Sequence, residues 1–348
     1  MLVFNKTNDR RQTLTIMNDM PNAIDYHHGE KSKAFFSDGS CSSMACLGCI
    51  SPKCMYFSNE EIHCDSIPSF PSDNTNNVCP TAAISIEQKT GIPRINSDKC
   101  IKCGICLNRC PVGAIYYADE ELKINSELSN KQCVVPYSSE NEHVHRIQIE
   151  NLSVCKTGIP ILESDGLLFE IYQKLFKIDY RLDNLIARNL LISLGCKCSI
   201  RRIGDVYTRM DAFYSSLDKS IGTVEVEFGR DTLEAARAIL EDIAVSNVRY
   251  GIPKDINLPL VVCLQLPNAR QGYWQVVKDI KNVEDIVINT VTVGTLIILC
   301  WNRCSISPTS ISYYIDYDNM DLRKIITTQL GREIKISNKL LGLMEPNK

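Results

Sequence analysis

Eleven residues starting at Cys100 read Cys-Ile-Lys-Cys-Gly-Ile-Cys-Leu-Asn-Arg-Cys, and Pro111 follows them. Three thiolates at i, i+3 and i+6 in a tight loop turn their sulfurs toward a common centre, so a fourth must arrive from elsewhere in the chain. A partner segment lies upstream. Cys79-Pro80-Thr81-Ala82-Ala83-Ile84 repeats the form of Cys110-Pro111-Val112-Gly113-Ala114-Ile115. An internal repeat of this kind points to two related halves packed about one centre.

This triple-cysteine run with its trailing Cys-Pro resembles the cluster-binding run of bacterial two-cluster 4Fe-4S ferredoxins, over about residues 41 to 118. The resemblance implies an α+β ferredoxin-like domain holding two 4Fe-4S clusters. In that family's pattern Cys100, Cys103 and Cys106 share a cluster with Cys79, and Cys110 reaches across to the other cluster. The first half departs from the pattern, because its cysteines fall at Cys41, Cys46, Cys49, Cys54 and Cys64. Cys46-x-x-Cys49-x-x-x-x-Cys54 supplies the remaining three ligands in this reading, and Pro52 bends the longer gap so that the third sulfur points inward. Cys41 and Cys64 are spares, either of which can replace one of the three. A 3Fe-4S centre or a single intact cluster stays open.

Zinc and disulfides are the alternatives. Zinc sites favour paired C-x-x-C knuckles with four ligands in total, which the triple run fits poorly. Seventeen cysteines cannot all pair. The segment Met1 to Arg11 lacks the apolar core of a secretion signal, so a reduced, cytoplasmic setting is expected. The apolar run Val291–Trp301 is too short to cross a bilayer; it reads as a buried strand, and no membrane contact is expected. A net charge of −3 gives no bulk attraction to nucleic acid, so any such binding must rest on a local basic patch.

At 348 residues the chain has room for more than one core. Cysteine density divides it into an N-terminal extension at 1–40, the ferredoxin-like domain at 41–125, a linker at 126–160 and an α/β domain at 161–348. Within the linker, Ser138 to His143 reads as a surface loop and the alternation in Val144 to Ile149 as a strand. Beyond Pro160 the apolar period becomes helical: Leu167, Leu168, Ile171, Leu175 and Phe176 share one face, and Leu182, Leu185, Ile186, Leu190 and Leu191 share another. Gly195 ends the second helix.

In Gly222-Thr-Val-Glu-Val-Glu-Phe-Gly-Arg230 the valines alternate with Glu225 and Glu227, so a strand there sets both carboxylates on one face. Asp211 lies on a preceding strand that can form a hairpin with it, bringing three acids together. A helix, a strand with Asp, a strand with Glu-x-Glu, a crossover helix at Thr232 to Asn247 and an apolar strand at Leu258 to Leu266 resemble, over about 180–302, the restriction-endonuclease-like nucleases of the PD-(D/E)xK type. That resemblance implies a mixed sheet flanked by helices, with Mg²⁺ held by Asp211 and Glu225 and phosphodiester hydrolysis of DNA or RNA through metal-bound water. Glu227 stands where the family more often has Lys, so an inactive fold that only binds nucleic acid fits as well. Solvated carboxylates on an exposed face are the plain alternative.

Arg209, Lys219 and Arg230 are phosphate-contact candidates or surface charges. Tyr273 and Trp274 read as core rather than base-stacking residues, His27 and His28 as surface or packing residues, and Cys263 and Cys300 as small buried hydrophobes in apolar strands. Two classes of function follow. One is a cluster-bearing nuclease or nucleic-acid-binding protein; the other is an electron-transfer protein whose C-terminal domain docks a redox partner protein.

Overall fold

The computed structural model describes residues 2–6, 12–16, 53–87, 93–110, 115–118, 121–124, 165–177, 180–215, 220–229, 232–301, 314–330 and 342–347. The expected strand at Val144 to Ile149 and the residues Cys41, Cys46, Cys49, His27, His28, Lys219 and Arg230 lie outside them. Backbone contacts group the chain into two units: residues 1–56, 77–160 and 301–303 form the first, and 57–76, 161–300 and 304–348 the second. Residues 57–76, inside the ferredoxin-like segment drawn from the sequence, therefore go with the second unit. Ile67 and Phe70 from this stretch pack with Met210, Phe213 and Ile252, which gives the segment its reason to lie there.

Among the described residues the first unit holds three antiparallel hairpins: β1 (Leu2–Lys6) with β2 (Gln12–Ile16), β3 (Ile84–Ile86) with β4 (Pro93–Ile95), and β5 (Ile115–Ala118) with β6 (Glu121–Ile124). The internal repeat is visible here. Each Cys-Pro segment leads into a hairpin, and the registers match, Ile84 facing Ile95 in one half and Ile115 facing Ile124 in the other. All four isoleucines lie in or against one apolar cluster that also holds Cys54, Cys100, Cys106 and Cys110. The thiol groups therefore form part of this unit's core.

The second unit, which also holds the short helix α1 (Asn59–Ile62), carries a five-stranded mixed sheet in the order β11-β10-β9-β8-β7. β7 (Lys197–Ile200), β8 (Ala212–Ser215) and β9 (Ile221–Glu227) form an antiparallel meander. The chain then crosses over through a helix at Leu233–Tyr250 to β10 (Leu260–Cys263), and through a second at Gly272–Glu284 to β11 (Asn289–Thr292), both strands parallel to their predecessors. Crossover helices cover a parallel sheet, and every residue of β10 and β11 is buried accordingly. The helices before the meander, Asp165–Leu175 and Tyr180–Ser193, bury the stripes Leu168, Ile171, Leu175 and Ile186, Leu190, Leu191. The second of these ends at Gly195, with φ 105°.

One sequence-based element is corrected. The apolar run Val291–Trp301 is not a strand: after Thr292 it is a helix, Val293–Trp301. The Thr292 hydroxyl accepts from the Thr295 amide at 3.2 Å, starting the helix as a capping side chain does. Near-uniform hydrophobicity hides this turn, because two threonines among so many apolar residues leave no clear period to read.

Gly222 in β9 is fixed by close approach. A β-carbon there would collide with the Leu258 carbonyl and the Tyr214 ring, which are themselves joined by a 2.8 Å hydrogen bond. Gly222→Ala is expected to cost about 1–3 kcal/mol of unfolding free energy, measured by urea denaturation of the second unit's transition.

Candidate functional site

The cysteine loop is shaped by two left-handed residues, Lys102 at φ 57° and Gly104 at φ 77°, the second preceding the short helix α2 (Ile105–Arg109). These reversals fold Cys100, Cys103 and Cys106 onto one side of the loop, and all three are buried. Around Cys106 stand four other thiols: burial pushes the Cys106 thiol well above its usual range, and Cys103, Cys100, Cys79 and Cys110 push it further. Cys79 packs against the same cluster from the other half of the repeat. Its sulfur accepts from the Ala83 amide at 3.1 Å and lies 3.7 Å from the Thr81 hydroxyl, while the Lys102 amide donates to Cys100 at 3.4 Å.

Cys54 lies in this same cluster. The Arg109 side chain, next to Cys110, donates to the Lys53 carbonyl at 2.9 Å and so ties the end of α2 to the Cys54 loop. None of the described cysteines is in a disulfide. Cys64 is elsewhere: it is buried in the second unit, where its thiol donates to the Phe213 carbonyl at 3.4 Å, and so is removed from the spare ligands. Cys263 and Cys300 are fully buried as expected, Cys300 on the helix rather than a strand.

In the second unit Glu225 and Glu227 share a face of β9, with Val224 and Val226 buried on the other. Asp211 immediately precedes β8; one of its oxygens accepts from the Val226 amide at 3.1 Å, and the other from Asn184 at 2.9 Å, with Arg201 3.6 Å away. Burial raises the Asp211 carboxyl, against the lowering effect of these partners. Burial also pushes Glu225 up to about 9, helped by the charges of Asp211 and Asp242, a hydrogen bond to Asp242 and the charge of Glu227. Asp242 rises too, by burial and the Asp211 charge, while its bond with Glu225 opposes the rise. Both carboxyls are thus pushed upward, burial being the first cause for each. Asp183 moves up to about 6, through burial first and the charges of Asp211 and Glu227 after the opposing Asn184 amide. Glu227 itself accepts from Gly229 at 2.6 Å.

Among the described residues no three Asp, Glu, His or Cys side chains stand close enough together to hold one metal ion. In a cubane each thiolate takes a different iron, so its sulfurs are not spaced as they would be around a single ion. A cavity of about 660 Å³ opens beside Asp211, lined among others by Asp183, Asn184, Arg201, Arg202 and Val226. Arg209 pairs with Glu241 at 2.7 Å, a partly exposed surface pair. Tyr273 and Trp274 are core residues, bonded to the Thr290 hydroxyl and the Pro267 carbonyl. Asp242, Asp183 and Asn184 went unread in the sequence. Asp242 had a signal: it falls on the buried face of its helix with Ala235, Ala236, Ile239, Ile243 and Ser246.

Residues 93–116 match the 4Fe-4S binding domain family, Fer4. The chain is 44% identical over 48 residues to an aliphatic sulfonate oxidoreductase polyferredoxin-like subunit of Pyrococcus furiosus, a match covering 14% of this chain and 26% of that one. An uncharacterized ferredoxin of Methanocaldococcus jannaschii is 43% identical over 61 residues, 18% of this chain and 32% of its own. The arsenate respiratory reductase iron-sulfur subunit ArrB of Shewanella sp. (strain ANA-3) is 40% identical over 55 residues, 16% and 20% of the two chains. The chain thus spans a third or less of the length of these relatives. A solved structure of the restriction endonuclease FokI bound to DNA aligns at 10% identity and TM-score 0.29, over 56% of this chain and 36% of that one. At that score the likeness carries no argument.

The residues fit the group this family holds. Five thiols packed together, with no disulfide among them, repel one another as thiolates, and iron removes that repulsion by ligating each sulfur. Among the described residues no helix is long and apolar enough to cross a membrane.

Proposed function

We propose that the chain is a ferredoxin-type electron-transfer protein with two 4Fe-4S clusters, one held by Cys79, Cys100, Cys103 and Cys106, the other by Cys46, Cys49, Cys54 and Cys110. The observation that carries this reading is the gathering of four thiols around buried Cys106, drawn from both halves of the repeat. Support for the second cluster comes from Cys54 and Cys110, buried in one apolar cluster, and from the Arg109–Lys53 bond beside them. The clusters supply one-electron chemistry; the protein's residues bury them and donate amides to their sulfurs, which sets the potential. A redox partner protein is the electron donor or acceptor, and the second unit is the module that docks it. Relatives named as subunits of oxidoreductases support such a partnership. Iron and acid-labile sulfide, assayed on anaerobically purified protein, are expected at two cubanes per chain; zinc in their place overturns the reading.

A second reading is favoured by one specific observation, the crowding of carboxyl groups at Asp211, Glu225, Glu227 and Asp242. Mg²⁺ at Asp211 and Glu225 would relieve that repulsion, and Arg201 and Arg202 in the cavity beside Asp211 would offer positive charge to a phosphate of DNA or RNA. Mg²⁺ is then expected to raise the unfolding temperature of the wild type at pH 8 and to leave Asp211→Ala unmoved. An equal response from both, without nucleic-acid cleavage, removes this reading.

A further inference from the structure

The two halves of the repeat are alike in their Cys-Pro step, their hairpin and their isoleucine register, but differ at the second residue after the cysteine. Thr81 stands in one half and Val112 in the other. The Thr81 hydroxyl lies 3.7 Å from the Cys79 sulfur, within reach of a hydrogen bond to sulfur, and Thr81 is only half exposed. When Cys79 binds iron its sulfur carries no proton, so the hydroxyl must be the donor. Valine has no proton to give. The Ala83 amide already donates to the same sulfur at 3.1 Å, so Thr81 adds a second donor.

We propose that Thr81 is a potential-setting residue, whose hydroxyl makes the cluster bound by Cys79 easier to reduce than it would be without that donor. This inference rests on Cys79 being a ligand, as proposed above. Its physical basis is that one electron from a low-potential donor protein adds negative charge to the cluster and its sulfurs. A hydrogen bond to sulfur then strengthens, which stabilises the reduced form over the oxidised one.

The experiment is a redox titration of the anaerobic full chain, followed by visible absorbance and electron paramagnetic resonance. Thr81→Val is expected to make the centre bound by Cys79 about fivefold harder to reduce, so that one midpoint falls by about 40 mV at 59 mV per tenfold and any other stays in place. Thr81→Ser, which keeps the hydroxyl, is expected to hold the wild-type midpoint. Cys79→Ser, run in parallel, tests the reading beneath. If Cys79→Ser alters the cluster spectrum while Thr81→Val leaves every midpoint in place, the inference about Thr81 is overturned and the ligand assignment survives. If Cys79→Ser leaves the spectrum untouched, both fall. A shift of equal size in Thr81→Val and Thr81→Ser also overturns the proposal, since it would report altered packing.

Discussion

Replacing Cys106 with serine is expected to remove one of the two proposed clusters and to unfold the first unit. Cys106 is buried at the centre of the thiol group, with Cys79, Cys100, Cys103 and Cys110 about it. Serine offers a shorter, harder ligand that is protonated at neutral pH, so one corner of the cubane is left open. The hairpins cannot make good the loss. Each has two strands of three to five residues, and an isolated two-stranded hairpin is at best marginally stable in water. The core shared by the hairpins β3–β4 and β5–β6 is small, and cysteines occupy much of it. A unit of this kind folds by binding its metal, a coupling worth about 10–16 kcal/mol in structural zinc peptides. The measurement is iron and sulfide content together with protease resistance: Cys106→Ser should lose about half the iron and become sensitive to cleavage. Cys64→Ser, altered in the second unit, should keep the full iron content. Equal iron loss in the two variants would contradict the assignment.

The second large effect is the response of the second unit to pH. Glu225 in the folded chain titrates at about 9 against 4.5 for an ordinary glutamate, burial being the first cause. Between those values the folded state holds a proton that the unfolded state has released, so stability falls as pH rises through the window, by up to about 1.4 kcal/mol per pH unit. Below the lower value both states are protonated and the penalty vanishes. Glutamine keeps the shape without the titration. Glu225→Gln is therefore expected to be close to neutral in stability at pH 4.5 and to stabilise the second unit at pH 8, by an amount on the order of 1–3 kcal/mol after allowance for the carboxyl's partial exposure. Urea denaturation at the two pH values decides it; a variant with no pH-dependent gain would show that the carboxyl group is not crowded in solution.

Elements carrying a period or a punctuating residue were legible in the sequence. The helix over Leu182 to Leu191 shows a clear apolar stripe and stops at a glycine, and the strand over Gly222 to Glu227 alternates valine with glutamate. The Cys-Pro repeat pointed to two related halves, and each half carries a hairpin of matching register. What escaped was set by tertiary contact. Nothing local marks Ile67 and Phe70 as partners of Phe213, and Val293–Trp301 is apolar apart from Thr295. Asp211, read as a strand residue beside the other acids, stands just before β8, and its carboxylate also accepts from the Val226 amide and from Asn184 on the helix before the meander. Asp242 looked like one acid among many until its helix packed against the sheet.

The most direct test of the account is a coulometric titration of the anaerobic protein. Two one-electron reductions per chain, each bleaching the sulfur-to-iron absorbance and at unequal midpoints, are the result expected. A chain that takes up no electrons at any accessible potential, whatever metal it contains, would contradict it.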